Sequence, residues 1–160
     1  MVSDSVNNVQ YVTQLRDMIP AFKALKSYEN GLYRAAFVAV EAINRRAKSG
    51  ISADGQVLFT KSSKRVGAYS EQHAESRTKR RLQVQSVDLT FTGQMLRNFN
   101  LLTLRPNFVT IGFSAPTQAA KAAKLENYYG TDIMTVSNAE ESDAVDALEK
   151  EILRTLDQLF

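Results

Sequence analysis

The chain has 160 residues, 44% hydrophobic and 23% charged, with a net charge of +3; that suffices for one domain with its own core and excludes global disorder. It has no cysteine, which excludes disulfides and thiolate metal sites, and its single histidine, His73, argues against a histidine-based metal centre or a Ser-His-Asp triad. No apolar run approaches the roughly 20 residues that span a bilayer, and the start, MVSDSVNNVQ, lacks the basic-then-apolar order of a signal peptide; the expectation is a soluble chain made in a cytoplasm.

Residues 1 to about 18 are polar with scattered Val, Tyr and Leu, which fits a loose arm or a short helix. Pro20 suits the first turn of a helix. Leu25, Leu32, Ala36, Ala39, Val40, Ile43 and Ala47 then recur at helical steps as one apolar stripe. Gly31 lies inside the stripe and weakens a helix by about 1 kcal/mol relative to Ala, so it marks a candidate break. Arg45, Arg46 and Lys48 suit the negative end of the helix dipole, and Gly50 is the expected stop.

Residues 51–85 read as a basic insertion. Ile51 to Ala68 has the Gly, Ser and Lys content of an exposed loop, with a short strand expected at Gln56 to Thr60. Tyr69 to Gln83 is helix-compatible but has a poor apolar stripe. An arm that projects from the body, or one ordered by a partner, is expected.

Val87 to Phe113 is the segment around which the rest is arranged. Thr92-Gly93, Met95, Leu96 and Phe99 suggest a helical turn. Leu101 to Leu104 and Phe108 to Phe113 are strand-like and flank Arg105-Pro106-Asn107, which gives a β-hairpin at 101–113. Pro116 to Tyr129 is alanine-rich and helical, ending at Gly130. Ser137 and Glu140 have capping-box spacing. Val145, Leu148, Ile152, Leu156 and Leu159 mark one face of a last helix. The predicted fold is α+β: a single domain over residues 1–160, with a small antiparallel sheet packed against a long N-terminal helix and an amphipathic C-terminal helix.

The charge is segregated. Lys61, Lys64, Arg65, Arg77, Lys79, Arg80 and Arg81 face only Glu71 and Glu75 in their stretch. From Ala139 onward, Glu140, Glu141, Asp143, Asp146, Glu149, Glu151 and Asp157 face only Lys150 and Arg154. Three readings fit the basic block: a solvated surface, a contact to a neighbouring subunit, or phosphate contacts to DNA. The block lacks the regular aromatics of a single-strand platform and has no helix–turn–helix or zinc-finger pattern. His73 reads as an exposed, unremarkable histidine, and the acids near the last helix as favourable charge at its N-terminus. Gly93 and Gly112 do not form a phosphate loop, since no GxxxxGK is present; tight backbone geometry is their expected role.

The order of elements, with Asp88-Leu89-Thr90, Thr92-Gly93-Gln94-Met95-Leu96, Val109-Thr110-Ile111-Gly112 and Tyr129-Gly130-Thr131, resembles the virion morphogenesis family of tailed bacteriophages, the tail-completion and neck proteins of the head–tail junction. The order covers roughly residues 20–158, and the residue match is confined to these pieces. Members often carry a Pro/Arg/Phe cluster where this chain has Asp132-Ile133-Met134-Thr135-Val136. The resemblance implies a structural virion subunit, not an enzyme, without cofactor or metal, assembled in the host cytoplasm into a ring joining portal and tail. Its implied partners are its own copies, portal or adaptor and tail proteins, and, non-specifically, double-stranded DNA, with no membrane. Lys61, Lys64, Arg65, Arg77, Lys79, Arg80 and Arg81 are then the candidate partner or DNA-channel contacts. Glu140, Glu141, Asp143, Asp146 and Glu149 are the candidate acidic face at a subunit interface. The alternatives are a tail terminator capping the tail tube and a basic nucleic-acid-binding accessory protein.

Overall fold

The computed structural model describes residues 11–13 and 27–157. In chain order the elements are β1 (Tyr11–Thr13), α1 (Ser27–Lys48), β2 (Arg65–Val66), β3 (Tyr69–Ser70), α2 (Glu71–Lys79), α3 (Gln94–Arg97), β4 (Phe99–Arg105), β5 (Phe108–Phe113), α4 (Pro116–Tyr129) and α5 (Asn138–Asp157). This is the expected α+β architecture. Of the first 18 residues, read as a loose arm or short helix, Tyr11–Thr13 form a strand instead; Pro20, Leu25 and Leu159 lie outside the described residues.

Helix α1 runs unbroken through Gly31, which overturns the expected break. Helix α5 crosses it there: a Cβ on Gly31 would stand 2.5 Å from Leu148 Cδ1. The glycine gives up local helix propensity and lets the two axes approach. Leu32, Ala35, Ala36, Ala39, Ile43 and Ala47 are buried, and their small members let α1 lie against both α5 and the sheet. Gly50, at φ +68°, ends the helix, and the Ile51 amide donates back to the Arg46 carbonyl at 3.2 Å.

The sheet has order β1-β5-β4, all antiparallel. Strand β5 is central and buried from Val109 to Phe113. Arg105 pairs with Phe108, leaving Pro106 and Asn107 at the tip, and the register slips between Leu101 and Thr103. The expected hairpin is therefore present, extended back to Phe99. Helix α4 has the expected bounds, with Gly130 at φ +73°.

At the start of α5 the capping box forms: the Ser137 amide donates to Glu140 Oε2 at 2.8 Å, and the Glu140 amide donates to Ser137 Oγ at 3.3 Å. Glu140 also receives both Arg46 Nε (2.8 Å) and Nη2 (3.1 Å). Arg46 reaches the Ile133 and Thr135 carbonyls as well, at 2.8 and 2.6 Å. One arginine thus ties the end of α1 to the start of α5, with each charge offset by its partner.

The 51–85 segment is not a projecting arm. Leu58, Ala68, Tyr69, Ala74 and Arg77 are buried and join the core cluster or line it. The strand expected at Gln56 to Thr60 reduces to one antiparallel bridge, Ile51 to Val57.

Candidate functional site

Of the seven cations expected on a contact surface, six are exposed: Lys61 and Lys64 before β2, Arg65 on β2, Lys79 on α2, and Arg80 and Arg81 just after it. Lys79 pairs with Glu75 at 2.7 Å across one turn, and the Arg80 guanidinium lies 4.4 Å from the Phe91 ring centroid. Arg77 corrects the expectation, being 1% exposed. Its Nη2 donates to Asp88 Oδ2 at 2.6 Å, its Nε donates to the Gln83 carbonyl at 2.7 Å, and it lies 4.5 Å from the Tyr69 ring centroid. A guanidinium this dry is tolerable only when so paired, so it serves the fold and is not available to a partner.

Asp88 is the hub that makes this possible. Its Oδ1 accepts the Thr90 amide at 3.0 Å and the Tyr69 hydroxyl at 3.3 Å, while its own amide donates to that hydroxyl at 3.0 Å. Gln83 Nε2 donates to Oδ2 at 2.8 Å. Burial pulls the Asp88 carboxyl up; these hydrogen bonds and the Arg77 charge outweigh it and hold the group below the usual carboxylate range. Tyr69, His73 and Arg77 share one face at steps of four, a stripe that a hydrophobicity scale scores as polar.

His73 is not the exposed residue expected. Its ring sits 5.0 Å from Tyr69 and 5.2 Å from Phe91, centroid to centroid. Burial, and then the nearby Arg77 charge, lower its pKa below the ordinary imidazole value.

Of the acidic set, Glu141, Asp143, Asp146 and Glu149 are exposed on α5. Glu140 is a second correction: it is buried in the Arg46 clasp and does not belong to an outer face.

The α2 and 88–92 residues close, with α4, on a groove. Its first half, about 340 Å³, is lined by Tyr69, His73, Arg77, Tyr128 and Tyr129 among others. Its second half, about 360 Å³, is lined by Met95, Gln118, Lys121 and Lys124. Leu89, Phe91 and Leu125 wall both halves, so the two adjoin. Tyr128 is fixed by its hydroxyl, which accepts the Lys61 amide at 2.9 Å and shares a hydrogen bond with Thr60 Oγ1 at 2.6 Å. The Tyr129 hydroxyl is pushed up to about 12, chiefly by burial, and stays protonated. Gln118 lines the second half, and its Oε1 is buried with no hydrogen-bond partner among the described residues.

These walls are mainly apolar. A separate cleft of about 570 Å³ contains Asp54, Glu126 and Asp132, but Glu126 Oε1 is taken by the Ile133 and Met134 amides, each at 2.9 Å. Among the described residues no group of three or more His, Asp or Glu side chains gathers to hold a metal ion, and no helix is long and apolar enough to cross a membrane. The groove was hidden in the sequence because Phe91 lies in a loop far from Gln118 and Leu125 of α4, and no local pattern links the two stretches. Comparison with family models, curated proteins and solved structures found no match to this chain.

Proposed function

We propose that this chain is a docking subunit of a tailed-phage head–tail connector, a neck or tail-completion protein that joins its own copies into a ring between portal and tail. One observation carries the reading: large apolar side chains stand in water on separate parts of the fold. Tyr33 (52% exposed) and Phe37 lie on the outer face of α1, whereas Val57, Phe59 (50% exposed) and Val66 lie between α1 and β3. Grouped exposed apolar side chains mark contact surfaces. Two unlike patches suit the head-to-tail contact that closes a ring. The exposed cations from Lys61 to Arg81 and the acids of α5 support it further, since opposite potentials fix register between copies. The resemblance of the short motifs to the phage family supplies the setting. The six exposed cations also suit phosphate contacts to DNA passing along the axis.

Light scattering across a concentration series, with antibody labelling of phage particles, tests the proposal. A discrete multimer and label at the neck are expected. Label at the end of the tail tube moves the reading to a tail terminator. A monomer at every concentration, absent from particles and binding DNA in a steeply salt-dependent way, overturns it in favour of a nucleic-acid accessory protein.

A further inference from the structure

We infer that the groove along α4 is the socket for the outer face of α5 from a neighbouring copy of the chain, with Leu153 as the inserted side chain. The inference rests on the ring reading and names the two surfaces that would meet.

The socket has an apolar floor and a basic rim. Leu89, Phe91, Met95 and Leu125 form the floor. Lys121 and Lys124 line its edge, and Arg80 lies over Phe91. The complementary shape is an exposed apolar residue set among acids. Leu153 is 59% exposed, the most exposed of the large hydrophobic residues among those described. On α5 it follows Glu149 by four residues and Asp146 by seven, and precedes Asp157 by four, so the four share one outer stripe. The net sign chooses this helix over α1: α5 carries seven acids against Lys150 and Arg154, whereas α1 carries Glu29 and Glu41 against Arg34, Arg45, Arg46 and Lys48.

The lengths agree. Gln118 to Tyr129 and Asp146 to Asp157 each span eleven steps, about 16 Å of helix. An apolar helix face laid in a groove with charged edges is a recurrent mode of recognition. The two surfaces are distinct, so the contact does not close on itself as a dimer. It also adjoins both exposed patches. Thr60 in the socket wall follows Phe59, and Leu153 sits at the end of α5 that packs on Gly31, two residues from Tyr33.

The absence of cysteine makes the test clean. Leu153→Cys and Lys124→Cys are made in separate chains, checked for native circular dichroism, mixed in equal amounts and oxidised. Mixed disulfide dimers should exceed like-with-like dimers at least about tenfold. In parallel, Lys121→Glu with Lys124→Glu should weaken self-association at least about tenfold, because like charges then oppose across the seam. Adding chains that carry Asp146→Lys with Glu149→Lys should restore it. If the wild-type chain multimerises but crosslinks are statistical and charge reversal has no effect, the socket is elsewhere and the ring reading survives. If the wild-type chain never multimerises, the ring reading falls and takes the socket with it.

Discussion

Helices α1 and α5 meet through Leu32, Ile43, Leu148 and Ile152, all nearly free of water contact. The segment from Lys61 to Thr90 adds Ala68, Tyr69, Ala74 and Val87 to the core, but its own fold is tied by the Arg77–Asp88 ion pair, three further hydrogen bonds to that carboxylate and a stack of rings. The first contact is additive: each buried methylene contributes roughly 0.8 kcal/mol, and losing one leaves the rest. The second is conditional. Each polar group is tolerated because another is present, so removing one leaves a charge stranded in a dry place. The two halves of the fold should therefore fail in different ways.

The largest difference is expected at Arg77. Arg77→Ala leaves Asp88 among Tyr69, Gln83 and Thr90 without its cation and should cost about 3 kcal/mol or more in urea unfolding. Because α2 is held by this pair, the variant should also expose Tyr69 and raise hydrogen exchange along Glu71–Lys79 while α1 stays protected. Arg77→Met combined with Asp88→Leu removes both charges at similar volume and should recover more than about half of the loss. A loss below about 1 kcal/mol for Arg77→Ala would put the segment under apolar control and erase the contrast.

Gly31 tests the additive half. Alanine gains about 1 kcal/mol of helix propensity, but its Cβ would stand 2.5 Å from Leu148 Cδ1, a side chain packed in the core. Overpacking of this kind costs about 1–3 kcal/mol. The net expectation is a loss of about 1 kcal/mol for Gly31→Ala. Leu148→Ala alone should cost about 3 kcal/mol. The double variant should be more stable than the sum of the two losses, because the new methyl enters the space Leu148 vacates. Additive losses in that cycle would mean the helices do not touch at Gly31.

The same contrast explains what the sequence discloses. The hairpin from Leu101 to Phe113, the bounds of α4 and the stop at Gly50 are legible because each is local: alternation, a turn proline, a glycine at positive φ. The Ser137–Glu140 box is legible for the same reason, whereas the second role of Glu140, receiving Arg46 from 94 residues away, is not. Arg77 fails most instructively. Among Lys79, Arg80 and Arg81 it reads as one more surface cation, and only its four-residue steps to His73 and Tyr69 mark an inward face. Composition counts charges and does not say which of them has a buried carboxylate waiting. The docking role is less legible still, since Leu153 and Phe91 acquire meaning only when a second copy is brought against the first.

Acid separates the two halves by a smaller effect, and His73 is the residue that should report it. Its folded pKa lies below the ordinary value of about 6.5, because burial and Arg77 disfavour the imidazolium. The unfolded chain therefore takes up the proton first as pH falls. Stability from this group is full above about pH 6.5 and declines below it, until the folded-state pKa is passed. Asp88 has the opposite chemistry and a lower window: its folded pKa is depressed, so its contribution is present above about 3.9 and is lost as pH falls through the folded value. His73→Phe keeps a ring between Tyr69 and Phe91 and removes the proton site. Urea midpoints measured from about pH 7.5 to about pH 5 should slope downward in the wild-type chain and flatten in the variant. Carried on below about pH 3.9, the series should still show the acid limb set by Asp88 in both chains. An unchanged slope in the variant would place the titrating group elsewhere and return His73 to a plain packing role. Around Gly31 the α1–α5 contact is made by apolar side chains, Leu148 and Ile152, so exchange protection there should track pH less than that of α2 in either chain.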